Sequence, residues 1–73
     1  MGWKDLADGW AVRDDQGLNV KTVAETRRAA IVNWLVVEAE RLVLRNTTDE
    51  QIEAMWEANC GDAVAIRVQI HAR

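Results

Sequence analysis

The side chains that could support catalysis or metal binding in this sequence are few and stand far apart. There is one cysteine, Cys60, and one histidine, His71, and there is no serine or tyrosine. Cys60 falls at the end of a predicted helix, where the helix dipole does not activate a thiol. One Cys with one His cannot complete a zinc site, and Asp14 and Asp15 lack the spacing of a calcium loop. We therefore predict no catalytic residue, no metal site and no cofactor, and a protein that is not an enzyme.

Acidic side chains dominate residues 46–62, which carry five acids and no base. In a predicted helix, Asp49, Glu53 and Glu57 stand four residues apart and form a like-charged stripe. Asp49 and Glu50 also favour the dipole at the helix start. A stripe of this kind attracts a basic surface on another protein. We predict that Asp49, Glu50, Glu53 and Glu57 bind a protein partner; the alternative is a solvated helix face.

Basic side chains supply a second candidate surface, made of Lys21, Arg27 and Arg28. Such a cluster can bind phosphates, so the alternative function is a small nucleic-acid-binding regulator that uses these residues. The formal net charge of −3 opposes that function, because nucleic-acid binders are usually basic. Solvation and an ion pair with Glu25 are the simpler interpretation of the arginines, and nucleic acid is the less favoured partner.

Length and composition are those of one small globular domain. The chain has 73 residues, of which 49% are hydrophobic and 29% charged. A chain this short supports only a marginal core, so association with another copy is the expected source of further stability. The sequence has no apolar run of about 18 residues. With a single cysteine and no recognisable signal peptide, we expect a cytoplasmic protein.

The first part of the chain predicts an arm followed by a hairpin. Residues 1–9 show no hydrophobic period and are expected to form an N-terminal arm. In residues 10–21, apolar and polar side chains alternate on both sides of a polar loop that ends in Gly17. This pattern predicts a β-hairpin.

A helix is predicted over residues 22–41, because Thr22 and Glu25 have the spacing of a capping box. Residues 42–45 fit either the last turn of this helix or a short extended piece. Only one side chain between residues 29 and 37 is polar, and a helix that is apolar nearly all round is usually buried on more than one side. A three-stranded sheet cannot cover all of it, so we predict a homodimer with this helix at the interface.

The last third of the chain predicts a second helix and a strand. Thr47 and Thr48 are equally good caps for a helix over residues 48–60, which Gly61 would end. Apolar side chains then alternate with others over residues 63–71, which predicts a strand with one buried face. The apolar positions of this strand are Val64, Ile66, Val68 and Ile70.

The predicted elements follow the order β-β-α-α-β in one domain, residues 1–73. They indicate an α+β fold in which both helices pack on one face of a three-stranded antiparallel sheet. The final strand can pair beside either strand of the hairpin. We expect Trp34 and Trp56 in the core, and we expect folding not to require Trp3.

The run TVAETRRAAIVNWL at residues 22–35 follows a hairpin that bears a tryptophan, and VAIRVQI closes the chain. This combination resembles small orphan accessory proteins of tailed bacteriophages and prophages. The resemblance implies a protein that binds and modulates a host protein in the cytoplasm of the host cell. Anti-CRISPR and anti-restriction proteins act in this way as inhibitors. The resemblance assigns no catalytic residue.

Overall fold

The sheet is built around its first strand, which pairs with a neighbour on each side. The structure is a computed structural model, and it describes residues 6–71. Its elements are β1 (Leu6–Asp14), β2 (Gly17–Ala24), α1 (Arg27–Val37), α2 (Asp49–Asn59) and β3 (Val64–His71). The antiparallel strands lie in the order β2-β1-β3, and the helices pack against the sheet. The predicted α+β class is confirmed, and β3 pairs with the first strand of the hairpin.

The hairpin is longer than predicted at both ends. Residues 6–9, expected to belong to an arm, are part of β1; residues 1–5, with Trp3, lie outside the described part of the chain. In the turn, the Asp14 carboxylate accepts a hydrogen bond from the Gln16 backbone N–H at 2.9 Å. Gly17 follows with a φ of 108°, a conformation that glycine adopts without steric cost.

A bulge in β2 overturns the predicted helix start. Four residues of β2, 20–23, stand opposite the single β1 residue Ala11. The fully buried Thr22 fills the resulting gap in the ladder. Its hydroxyl accepts from the Val12 N–H at 2.8 Å and donates to the Asn19 carbonyl at 2.6 Å. The predicted capping box at Thr22 is therefore wrong, because this hydroxyl completes strand pairing.

Helix α1 begins five residues later than predicted, at Arg27. Its N-cap is Thr26, whose hydroxyl accepts from the Ala29 N–H at 3.1 Å. The helix ends at Val37, and Glu40 then adopts a left-handed conformation with a φ of 53° that turns the chain away. Residues 42–45 are neither helix nor strand.

Helix α2 is close to its predicted bounds and has the capping box that α1 lacks. The Thr48 hydroxyl accepts from the Gln51 N–H at 3.2 Å, and the Gln51 side chain accepts from the Thr48 N–H at 2.9 Å. The neighbouring Thr47 does not cap the helix. Its hydroxyl accepts from the Leu44 N–H at 3.0 Å and so fixes the loop before α2.

The core lies between the helices and one end of the sheet. Its centre is an edge-to-face contact between Trp34 and Trp56, with ring centroids 5.3 Å apart and an interplanar angle of 83°. Both tryptophans are buried as predicted, at 8% and 5% exposure. The remaining buried members of this core are Val12, Ile31, Leu35, Ile52 and Ala63.

One copy of the chain covers most of the apolar part of α1. Its buried residues include Ile31, Trp34 and Leu35, while the exposed Val36 and Val37 belong to its last turn. The helix therefore offers a second copy a smaller apolar surface than the sequence predicted. The homodimer stays a prediction.

The side chains of β3 contradict the predicted buried face. Ala65 pairs with Val12 and packs against the core, so its neighbours in the alternation point to the other face of the sheet. Val64 is 43% exposed, and the other three apolar side chains on that face are only partly buried. We call the side with Val64, Ile66, Val68 and Ile70, which is opposite to the side that carries Val12 and Ala65, the outer face of the sheet.

The Thr22 hydroxyl is expected to contribute more to stability than a helix cap. Thr22→Val keeps the shape but leaves the Val12 N–H and the Asn19 carbonyl without their partner, which we expect to cost about 3 kcal/mol. Thr22→Ser keeps the hydroxyl and should cost about 1 kcal/mol, and so should loss of the cap in Thr26→Ala. Urea unfolding followed by tryptophan fluorescence measures all three. A Thr22→Val variant as stable as Thr26→Ala would contradict this role.

The tryptophan pair is expected to hold the core together through packing. Trp34→Ala should cost about 3–5 kcal/mol and abolish cooperative unfolding in so small a domain. The Trp34 N–H has no hydrogen-bond partner among the described residues, so Trp34→Phe should cost much less, because it removes no hydrogen bond. Thermal unfolding measured by circular dichroism compares the two. Equal losses would contradict this expectation.

Candidate functional site

The structure brings together residues from the two rival predicted surfaces. At the first turn of α1, the Arg27 guanidinium donates to the Glu53 carboxylate of α2. Arg28 donates to the Asp49 carboxylate and also to the Thr47 carbonyl, the latter at 3.3 Å. Two of the three bases predicted to bind nucleic acid and two of the four acids predicted to bind a protein therefore join α1 to α2.

Within residues 6–71 the arginines therefore pair with α2 and not with Glu25, the ion pair that the sequence suggested. Arg27 and Arg28 are unfavourable at a helix start by the dipole alone, and the facing carboxylates offset that cost. The acidic stripe of α2 is likewise neutralised at Asp49 and Glu53. Because all four side chains are at least 44% exposed, each pair contributes little to stability.

Two predicted acids and one predicted base are left outside these pairs. Glu50 and Glu57 are exposed on α2 and form no ion pair within residues 6–71. Lys21 is exposed on the bulge of β2, where its backbone N–H donates to the Asn19 side chain at 3.0 Å. The acids thus remain available on α2, whereas the basic candidate is divided between the bulge and the ion-paired start of α1.

An open apolar groove lies beside the free acids. Helix spacing puts Ala54 four residues after Glu50 and three before Glu57, so these three residues share one side of α2. The loop that leads to α2 contributes Leu42, which is 79% exposed. We name this groove and its two acids the α2 groove; its lining is Leu42, Thr47, Gln51, Ala54 and Met55, with a volume of about 390 Å³.

Hydrogen bonds hold the loop that forms one wall of the groove. Thr47 and Leu44 exchange two bonds of 3.0 Å, one to the Thr47 hydroxyl and one from the Thr47 N–H to the Leu44 carbonyl. The Arg41 guanidinium donates to the Asn59 side chain at 3.2 and 3.3 Å, which ties the start of the loop to the end of α2. These bonds fix the position of the loop relative to the end of α2.

A further cluster, on β1 and β3, was not found from the sequence. The Arg67 guanidinium carbon lies 5.3 Å from the ring centroid of Trp10, and a guanidinium nitrogen lies 3.2 Å from the Asp8 carboxylate. Such a cation–π contact at an exposed site is worth about 0.5–1 kcal/mol. The register of the strands creates this cluster, since Trp10 and Arg67 are direct partners.

The residues considered for metal or thiol chemistry do not assemble in the described part of the chain. No group of three or more His, Cys, Asp or Glu side chains is arranged there to hold a metal ion. Cys60 is partly buried and packs against the core, as a small apolar side chain would. The His71 side chain lies outside the described residues.

Over residues 6–71, no helix has the length and apolar character that crossing a membrane requires. Comparison of the chain with protein-family models, curated proteins and solved structures found no match.

The Arg27–Glu53 pair is expected to be weak and sensitive to salt. A double-mutant cycle with Arg27→Ala and Glu53→Ala should give a coupling energy of about 0.2–1 kcal/mol, which falls as salt screens the charges. The same cycle with Arg27→Ala and Glu57→Ala is the matched control, because Glu57 has no ion pair there, and it should give no coupling. Equal coupling in both cycles would mean that the contact is not a specific pair.

Proposed function

We propose that this chain is a small accessory protein, of the kind that tailed bacteriophages carry, which binds a host protein and modulates it without catalysis. The single observation that carries the proposal is the α2 groove. In it, the exposed apolar Leu42 lines a groove together with Ala54, and Ala54 lies on the side of α2 that carries Glu50 and Glu57. Neither of these carboxylates forms an ion pair within residues 6–71. The resemblance in residues 22–35 supports the accessory role, and a host-defence component is the class of target that it implies.

The chemistry of the groove defines the partner that would fit it. Protein interfaces gain most of their affinity from a few apolar anchors in pre-formed pockets, and their charges mainly direct encounter and specificity. An apolar side chain of the host protein would enter between Leu42 and Met55. A Lys or Arg of the same segment would pair with Glu50 or Glu57. The proposal therefore calls for a basic surface with a protruding apolar residue.

Glu50 and Glu57 are the acids whose reversal tests partner binding, because Glu53 also holds the two helices together. Reversing Glu53 would set a lysine against Arg27 and disturb the contact between the helices. Glu50 and Glu57 have no such role, so their reversal should change stability by no more than about 0.5 kcal/mol. Variants at these two positions therefore test binding without disturbing the fold.

Charge reversal at the groove is expected to weaken partner binding. The double variant Glu50→Lys with Glu57→Lys should lower affinity for a captured host protein at least tenfold, because it repels the basic surface that the wild type attracts. Its matched control is Asp15→Lys with Glu25→Lys, which makes the same change in net charge at exposed positions outside α2. Capture from a bacterial lysate identifies the partner, and titration with the purified partner gives both affinities.

Salt and nucleic acid complete the test. Wild-type binding should weaken as salt rises, because exposed charges are screened over about 8 Å at physiological ionic strength. A groove variant that binds like the control would overturn the proposed surface. A gel shift of DNA or RNA by the wild-type protein would favour the nucleic-acid-binding regulator instead.

A further inference from the structure

Strand β3 presents an edge that the described part of the chain leaves unpaired. In the order β2-β1-β3, its other side pairs with β1 along its whole length, from Val64 to His71, without a register shift. The strand contains no proline or glycine, and Arg67 is its single Lys, Arg, Asp or Glu. Such an edge is a template for another strand, which natural sheets usually protect with bulges, charges or covering segments.

The opposite edge of the same sheet is protected. The bulge at residues 20–23 interrupts β2, and the exposed Lys21 stands on that bulge. The Asn19 side chain caps the Lys21 N–H within the bulge, so that donor is already used. The two edges of the sheet therefore differ, and only the β3 edge has the regular backbone that strand addition requires.

The side chains of β3 are suited to pairing with a copy of themselves. On the outer face of the sheet, Ile66, Val68 and Ile70 are apolar and only partly buried. On the other side, Arg67 and Gln69 are exposed, opposite Trp10 and Asp8 of β1. A partner strand must continue an apolar row on one side and match a positive charge on the other.

We propose that the outer edge of β3 pairs antiparallel with β3 of a second copy, with Val68 on the twofold axis, to form one six-stranded sheet. In this register Val68 faces Val68, and Ile66 of each copy faces Ile70 of the other, so the apolar row continues. Arg67 faces Gln69 of the second copy, which tolerates the charge. Direct partners across antiparallel strands share one side of the sheet, as this register requires.

The nearest alternative register is disfavoured by charge. Centring the pair on Arg67 would also keep side chains on their proper sides, but it would set Arg67 directly opposite Arg67. Like charges in direct opposition destabilise a strand pair. A shift by a single residue would exchange the two sides of the sheet and place Ile70 opposite Ala65.

The size of the contact sets the expected strength of the dimer. Eight residues of strand extend about 26 Å. One strand edge of that length covers less than the roughly 800 Å² per partner of a standard interface. The dimer should therefore be weak, with a dissociation constant in the micromolar range. The β3 edge is a different surface from α1 and from the α2 groove, so the inference does not rest on the proposed function.

Substitutions at Gln69 test the register with opposite signs. Gln69→Glu should tighten the dimer roughly 2- to 30-fold, because each new carboxylate faces Arg67 of the other copy, twice per dimer. Gln69→Lys should weaken it by a similar factor, because lysine then faces Arg67. Sedimentation velocity between about 5 and 500 μM should show a shift from the 8.2 kDa monomer toward twice that mass.

The stability of the monomer moves in the reverse direction, which separates folding from association. Within one copy, position 69 faces Asp8, so Gln69→Lys adds an attraction and Gln69→Glu adds a repulsion. In dilute solution Gln69→Lys should be the more stable variant, although it dimerises less. Hydrogen exchange at high concentration should slow in alternate amides of β3 in the wild type.

Three results would overturn the proposal. One is a wild-type chain that stays a monomer at 500 μM. Another is a dimer that both Gln69 variants leave unchanged while Val68→Lys abolishes it, because contact through the outer face alone does not involve position 69. The third is protection of the β3 amides only when a captured host protein is added, which would assign the edge to that protein.

Discussion

The hydroxyl of Thr22 is the contact on which the arrangement of the other elements depends. It stands in for a backbone group at the one place where β1 and β2 lose their regular ladder, and it leaves neither Val12 nor Asn19 unpaired. The backbone carbonyl of the same residue accepts from the Asn33 side chain of α1 at 3.3 Å. One buried threonine thus links the central strand, the bulged strand and the first helix. Without this hydroxyl, the bulge would leave buried backbone polar groups without hydrogen-bond partners, which destabilises the folded state.

The sequence predicted the class of fold well because most elements are marked by local signals. The threonine pair before α2 and the alternation around Val68 are signals that act over a few residues, and both correctly indicated an element. The errors arose where one signal fits two structures. Thr22 with Glu25 has the spacing of a helix cap, but pairing with β1, distant in sequence, gives the hydroxyl a stronger role. The apolar row of β3 was assigned to the core because periodicity gives the side of a strand and not which side the helices cover.

For the charged residues of the candidate site, sequence spacing likewise gives positions along one element but not contacts between elements. Spacing along α2 correctly placed Asp49, Glu53 and Glu57 along one helix. It could not reveal that α1 brings two arginines against the first two of them, because that contact depends on how the helices cross. Glu50 and Glu57 keep their charge available, while Leu42 enters the surface from a loop that no periodic pattern marks. The net charge of the sequence therefore hides an uneven distribution of charge. The surface is nearly neutral where α1 and α2 meet, and it is negative along the groove.

The place of β3 in the sheet also affects how the chain can fold as it is synthesised. Leu6 at the start of β1 pairs with His71 at the end of β3, so the two sides of this ladder emerge from the ribosome far apart in time. Until residues 64–71 have left the exit tunnel, the hairpin carries an open central strand and the helices lack Ala65 beneath them. Contacts this distant in sequence form slowly. A ribosome that stalls after α2 would therefore hold a nascent chain whose central strand is free to pair with other chains, and such a chain is a substrate for chaperones.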